Sequence, residues 1–135
     1  MKNKMTPAEI QVRFRDCDVM GHVNNAVYLS YFEQARMHYF AQMVDKDWDW
    51  KKEGIVLVHN QVTYLKPILL HDKPIIFMNL IEIGEKSFTL GYSVKVDEKE
   101  VATGLSKLVC YDFESGRSVK LYPDMKEGLL KLKQD

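Results

Sequence analysis

The ten residues from Asp16 to Asn25, DCDVMGHVNN, bring together two carboxylates, a thiol, an imidazole and two amides. These groups can do acid–base or nucleophilic work on a carbonyl. Asp18 stands out. Gly21 follows it closely, and a helix begins a few residues on, where unpaired N–H groups can hold an anion or a developing oxyanion. A carboxylate beside such donors can attack a carbonyl or activate water. The plainer reading is an aspartate that ties down a turn. Asp16 competes for the reacting role. A strand continuing through Cys17 would set both aspartates on one side, where the pair could raise one pKa or hold a metal. With His22 they read D-x-D-x-x-x-H, which follows no metal-ligand spacing rule, so no metal is expected. Cys17 lacks an ordered base and is read as packing. His22 can cap a turn or act as acid or base near neutral pH. Asn24 and Asn25 are natural helix caps and also amide ligands.

The flanking patterns show what must position this loop. EIQVRFR (9–15) alternates, with Ile10, Val12 and Phe14 against charged and amide residues, and predicts a half-buried strand. From about Asn25 to Val44, Tyr28, Phe32, Ala35, Tyr39 and Met43 recur at helical spacing. Leu29 and Phe40 widen that stripe, while Ser30, Glu33 and Gln34 lie off it. Glu33 and Arg36, at i and i+3, are expected to pair or to brace a subunit contact. Asp45–Gly54 reads as a short helix or ordered loop ended by Gly54. Its Trp48 and Trp50 are packing residues that can line an acyl pocket. Strands follow over 55–65, 73–83, 87–96 and 101–113, with turns at Gly84–Glu85, Glu98–Lys99 and 114–117. A short last strand lies near Val119, and Pro123 opens a helix over Met125–Leu132. One long helix cannot cross over repeatedly, which excludes a doubly wound α/β fold. The pattern fits an α+β domain, a curved antiparallel sheet around one central helix. Its free edges and apolar helix favour at least a dimer, joined edge to edge.

The chain has 135 residues, 46% hydrophobic and 28% charged, with a formal net charge of zero. That size and composition describe a single globular domain spanning residues 1–135, able to bury roughly two thirds of its unfolded surface. Neutrality gives no general pull toward nucleic acid or anionic membrane. The apolar runs fall short of the ~20 residues of a membrane span. MKNKMTPAE has no apolar continuation of the secretory type, and Cys17 and Cys110 form no CxxC pair, so a cytoplasmic chain with free thiols is expected. G-x-G-x-x-G, G-x-x-x-x-G-K-[ST] and G-x-S-x-G do not occur, which leaves nucleotide hydrolysis, dinucleotide redox chemistry and the usual serine-hydrolase mechanism without support.

VRFRDCDVMGHVNNAVYLSYFEQAR (12–36) resembles the hotdog-fold acyl-CoA thioesterases of the 4-hydroxybenzoyl-CoA thioesterase type. QVTYLKPILLHDK (61–73), GEKSFTLGYSV (84–94) and VATGLSKLVCYDFESGR (101–117) follow in the family's order. The resemblance implies a sheet wrapped around the long helix, a homodimer with joined sheets, often paired again into a tetramer, and an active site at the dimer interface. It makes Asp18 the catalytic carboxylate and places the N–H that polarises the thioester carbonyl near Asn25. Gly21 becomes the close-approach position, with His22, Asn24 and Asn25 orienting substrate or water. Tyr28 falls to the acyl pocket. Thr63 and Tyr64 are expected to face the thioester or pantetheine arm, with the 62–66 strand region coming from the partner subunit. Lys66, Lys86 and Lys107 are candidates for the coenzyme A phosphates. Arginines that an aromatic-acyl branch carries before the K-S-F stretch are replaced here by Ile83–Gly84–Glu85, so those nucleotide contacts do not carry over.

The implied reaction is hydrolysis of an acyl-CoA, with a fatty or other small acyl group, to free acid and coenzyme A. Asp18 serves as nucleophile or general base. No cofactor is required, because coenzyme A is part of the substrate. Three alternatives stand beside it: an acyl-carrier-protein thioesterase, a non-catalytic acyl-thioester binding protein, and an enoyl-CoA hydratase on the same fold, whose motif spacing differs.

Overall fold

The computed structural model describes residues 5–132; residues 1–4, read above for a leader, and 133–135 lie outside them. In chain order the elements are β1 (Ala8–Glu9), a 3-10 turn (Phe14–Asp16), α1 (Val27–Phe40), β2 (Gly54–Tyr64), β3 (Ile75–Ile83), β4 (Ser87–Val96), β5 (Lys99–Asp112), β6 (Arg117–Ser118) and α2 (Pro123–Leu132). All pairings are antiparallel. The sheet order is β1-β3-β4-β5-β2, and β6 also pairs with β5. Consecutive hairpins build β3-β4-β5, and β2 closes onto β5 from earlier in the chain.

The sheet curls around α1. Tyr28, Tyr31, Phe32, Ala35, Tyr39 and Phe40 of the helix are buried. Phe88, Leu90, Tyr92, Val94 and Val96, the alternating face of β4, are buried beneath it. Bulges at Leu57/His59 in β2, Leu80/Glu82 in β3 and Val94/Lys95 between β4 and β5 increase the local twist and let the sheet wrap. Phe32 stacks on Tyr92 with centroids 4.2 Å apart. It lies so close to the sheet that a Cβ on Gly104 would sit 2.5 Å from its ring. Glycine there lets the helix approach the backbone of β5. This is the α+β hotdog arrangement expected from the sequence.

Several boundaries differ from the sequence reading. The strand expected over 9–15 is a true ladder only at Ala8–Glu9. Ile10 and Val12 are buried as the alternation requires, but Phe14 is 83% exposed. The chain turns away because the Arg13 N–H bonds Asp16 Oδ2 at 2.9 Å and starts a 3-10 turn. The helix expected over 25–44 is shorter, Val27–Phe40, and runs out in turns such as Val44 N–H to Phe40 O. Residues 45–53 form the ordered loop, one of the two forms expected, with Trp48 Nε1 bonded to Glu53 O, and Gly54 ends it as the first residue of β2. The β4–β5 turn is centred on Asp97 and Glu98, whose φ values of 51° and 67° give the mirror-type geometry that matches strand twist, one residue earlier than expected. The short strand expected near Val119 is Arg117–Ser118.

Candidate active site

Residues 17–23 form a small hairpin of their own. Cys17 bridges Val23, the Asp18 N–H bonds His22 O at 2.8 Å, and the Gly21 N–H bonds Asp18 O at 3.0 Å. Gly21 has φ of +78°, the left-handed position that closes such a turn with a bulge. The loop is anchored from outside as well. Val23 N–H bonds Ile68 O at 2.8 Å, and His22 bridges Leu69. The close-approach position expected at Gly21 is therefore the turn that presents Asp18 and His22.

The two aspartates have different work. Asp16 Oδ2 accepts from the Arg13 N–H at 2.9 Å and from the Tyr31 hydroxyl at 2.7 Å. Burial, followed by the bond to Asp16, pushes the Tyr31 phenol far above its ordinary range. Asp16 thus fastens the strand exit to the middle of α1. Asp18 is exposed, and its Oδ1 accepts from Met20 N–H at 2.9 Å and His22 N–H at 3.4 Å. Its Oδ2 has no partner among the described residues, which leaves one carboxylate oxygen available for chemistry.

At the helix start, Asn24 Oδ1 accepts from the Ala26 N–H at 3.0 Å and Asn24 O accepts from the Val27 N–H at 2.9 Å. Asn24 thus closes the turn that leads into α1 and its side-chain oxygen is engaged there, while the N-cap position, Ala26, has no side-chain cap. The Asn25 N–H has no acceptor among the described residues. The Asn25 carbonyl accepts from the Tyr64 hydroxyl at 2.9 Å, and the Tyr64 ring meets Tyr28 edge-on at 4.8 Å. Burial raises the pKa of Tyr28. The end of β2 is thereby tied to the start of α1 within one chain.

The remaining expected residues are not all brought together. Thr63 is exposed and alternates to the opposite face from Tyr64. Lys66 lies two residues beyond Tyr64, its N–H on Val101 O, in the segment that leads to the loop-anchoring Ile68 and Leu69. Lys86 sits in the β3–β4 turn at the other end of the sheet. Its neighbour Ser87 pairs with Val109, whereas Tyr64 pairs with Ala102, a separation along β5 of about 23 Å at strand rise. Lys107, on β5, pairs with Thr89 and His59. Among the described residues no group of three or more His, Cys, Asp or Glu is arranged to hold a metal ion.

Of the two expectations for Glu33 and Arg36, the pairing does not hold; among the described residues the ion pair is Lys131 with Glu127. Arg36 is 7% exposed and donates through Nη1 to Tyr92 Oη at 3.2 Å and Ser106 Oγ at 3.4 Å. A groove of about 400 Å³ runs beside it between α1 and β2, lined by Leu29, Met37, Phe40, Trp50 and Leu57 among others. The signal was thin: one arginine four residues before Phe40 on a stripe that is otherwise apolar.

The thioesterase-like superfamily profile matches residues 12–129. A thioesterase from Thermus thermophilus, solved with coenzyme A and Zn, is similar in structure with a TM-score of 0.79 and 37% identity, over 92% of this chain and 96% of that one. The 1,4-dihydroxy-2-naphthoyl-CoA hydrolase of Nostoc punctiforme is 33% identical, over 84% of this chain and 78% of its own length. The long-chain acyl-CoA thioesterase FadM of Escherichia coli is 29% identical, over 90% and 94%. With its sheet curled around α1 and its loop before the helix in the expected place, the chain belongs to the thioesterase-like superfamily, as a hotdog-fold thioester hydrolase of the 4-hydroxybenzoyl-CoA thioesterase type.

Proposed function

We propose that this chain is one thioesterase domain that hydrolyses an acyl-CoA to the free acid and coenzyme A, with Asp18 as the reacting carboxylate. The observation that carries the reading is the division of labour in the loop. Asp16 is engaged by Tyr31 and Arg13, whereas Asp18 keeps one oxygen free in the loop that also leaves the Asn25 N–H unspent. The thioester carbonyl oxygen rests on that N–H, which stabilises the negative charge that develops on it. Water adds to the carbonyl carbon as Asp18 takes its proton, and the C–S bond then breaks to release the thiolate, which is protonated to the thiol. If Asp18 attacks instead, an anhydride forms and water clears it. His22, on the same turn, orients water or the leaving group. The homologies to acyl-CoA hydrolases favour coenzyme A over carrier protein as the thiol component.

The working form is a homodimer joined along β2. That strand pairs with β5 on one side and, among the described residues, has no strand on the other. It exposes Leu57, Val58 and Tyr64, with Leu65 just beyond, an apolar edge suited to a second copy.

Free-thiol release over a panel of acyl-CoAs of graded length, with Asp18→Asn beside the unchanged protein, tests the reading. Turnover that disappears in Asp18→Asn upholds it. Full activity in Asp18→Asn removes Asp18 from the chemistry. No turnover in either protein, with acyl-CoA still bound, marks a binding protein.

A further inference from the structure

Joining two copies along β2 has a geometric consequence for α1. Two identical strands paired antiparallel are related by a two-fold axis perpendicular to the sheet, so both copies keep the same face of the joined sheet toward their helices. Each sheet curls around its own α1 on that face. The two helices then lie on one side of the joined sheet and run antiparallel, one on either side of the joint. Between them lies the flank of α1 that looks toward β2.

That flank is open in the single chain. On the helix side the groove is lined by Leu29, Ser30, Glu33, Arg36, Met37 and Phe40, a stripe at helical spacing. Leu29 and Met37 are exposed. Leu57 and Asn60 of β2 form part of the opposite wall, and Leu57 is exposed on the free edge as well. The groove is therefore continuous with the edge assigned to a second copy.

The groove also holds an unbalanced cation. Burying a charge is costly unless it is paired. The hydrogen bonds of Arg36 leave from Nη1 and go to two neutral hydroxyls, of Tyr92 and Ser106. Among the described residues no carboxylate pairs with Arg36, and Glu33, exposed on the same stripe, pairs with no cation. The two lie three residues apart, about 4.5 Å along the helix. Read backwards by an antiparallel copy, this acid-then-base order is its own complement: each glutamate meets an arginine, and the contact of i with j is repeated as j with i. Leu29 precedes Glu33 by four residues and Phe40 follows Arg36 by four, so the same register sets Leu29 of each copy against Phe40 of the other.

We infer that the groove is filled by α1 of a second copy running antiparallel, and that Arg36 bonds Glu33 of the partner subunit, in two equivalent pairs. The inference rests on the homodimer reading for the joint along β2. It supplies the carboxylate that Arg36 lacks within one chain.

Sedimentation equilibrium of the full chain, unchanged and as Glu33→Lys, Gln34→Lys and Val58→Asp, tests the inference. Glu33 is exposed, so its replacement leaves the fold intact, which circular dichroism checks. Gln34 is an exposed neighbour that does not line the groove. Glu33→Lys sets a lysine against the buried arginine and should raise the dimer dissociation constant at least about tenfold. Gln34→Lys should leave it within about twofold. Equal weakening by the two lysines overturns the inference. A dimer weakened by Val58→Asp but indifferent to Glu33→Lys overturns the helix contact and leaves the β2 joint standing. An unchanged protein that sediments as a monomer overturns both. A dimer indifferent to Glu33→Lys whose KM for acyl-CoA rises overturns it too, and gives the groove to substrate.

Discussion

The hydroxyl of Tyr64 donates to the carbonyl of Asn25 at 2.9 Å, which joins the last residue of an edge strand to the turn that leads into the central helix. The bond fixes the residue whose own N–H has no acceptor among the described residues. Tyr64 is 44% exposed, so the link lies at the rim of the core and contributes little to global stability. Tyr64→Phe keeps the edge-on contact with Tyr28 and removes only the hydrogen bond. Its kcat should fall by up to about tenfold, with thermal stability lowered by at most about 1 kcal/mol. Steady-state kinetics beside a melting curve checks both; an unchanged kcat would mean that the helix start holds its geometry without Tyr64.

Asp16 and Asp18 should separate stability from activity. Asp16→Asn weakens the bonds from Tyr31 and the Arg13 N–H and should cost about 1–2 kcal/mol in urea unfolding. Asp18→Asn keeps an oxygen for the Met20 N–H and should unfold almost as the unchanged protein does. Its kcat, in contrast, should drop by at least about a hundredfold. The reverse ordering would exchange the roles of the two residues.

Alkaline pH should loosen the fold. Burial pushes the Cys110 thiol up from 9.0 to about 11, and burial likewise pushes the Tyr122 phenol from 10.0 to about 12. Both groups hold their protons longer in the folded chain than in the unfolded one. Their contribution is complete below about pH 9 and is lost as pH rises through the folded values. Melting temperature should therefore fall between about pH 9 and about pH 11, and Cys110→Ala should show a shallower decline over that window. A flat profile in the unchanged protein would contradict the assignment.

Gly104→Ala tests the closeness of helix and sheet. The added methyl meets the Phe32 ring and the Gln61 carbonyl oxygen, the latter at 2.6 Å. The backbone oxygen cannot give way, and Phe32 would have to leave its stack on Tyr92. A loss of about 1–3 kcal/mol is expected in denaturant unfolding.

The strong periodicities were legible. The alternation of Phe88, Leu90, Tyr92, Val94 and Val96 marks the inner face of β4, and Tyr28, Phe32, Ala35 and Tyr39 mark the buried face of α1. Where local hydrogen bonding competes with a pattern, the pattern misleads. Phe14 continues the beat of Ile10 and Val12, yet the Asp16 carboxylate captures the Arg13 N–H and turns Phe14 outward. At the site, the loop and its residue types were plain. What spacing could not show was long-range pairing: Asp16 with Tyr31, Asn25 with Tyr64, and Arg36 with residues 56 and 70 positions away. These contacts depend on how the sheet curls, and the bulges that curl it leave no periodic trace.

The open side of β2 carries a consequence for the protein at low concentration. If a second copy completes that edge, association and folding are linked by mass action, and the melting temperature should rise with protein concentration. Diluted below the dissociation constant, each chain would present the outer side of an eleven-residue strand, with Leu57 and Val58 exposed on it. Strands of that kind template pairing with other chains. Loss of activity on dilution and aggregation during recovery would then be two outcomes of one unsatisfied edge.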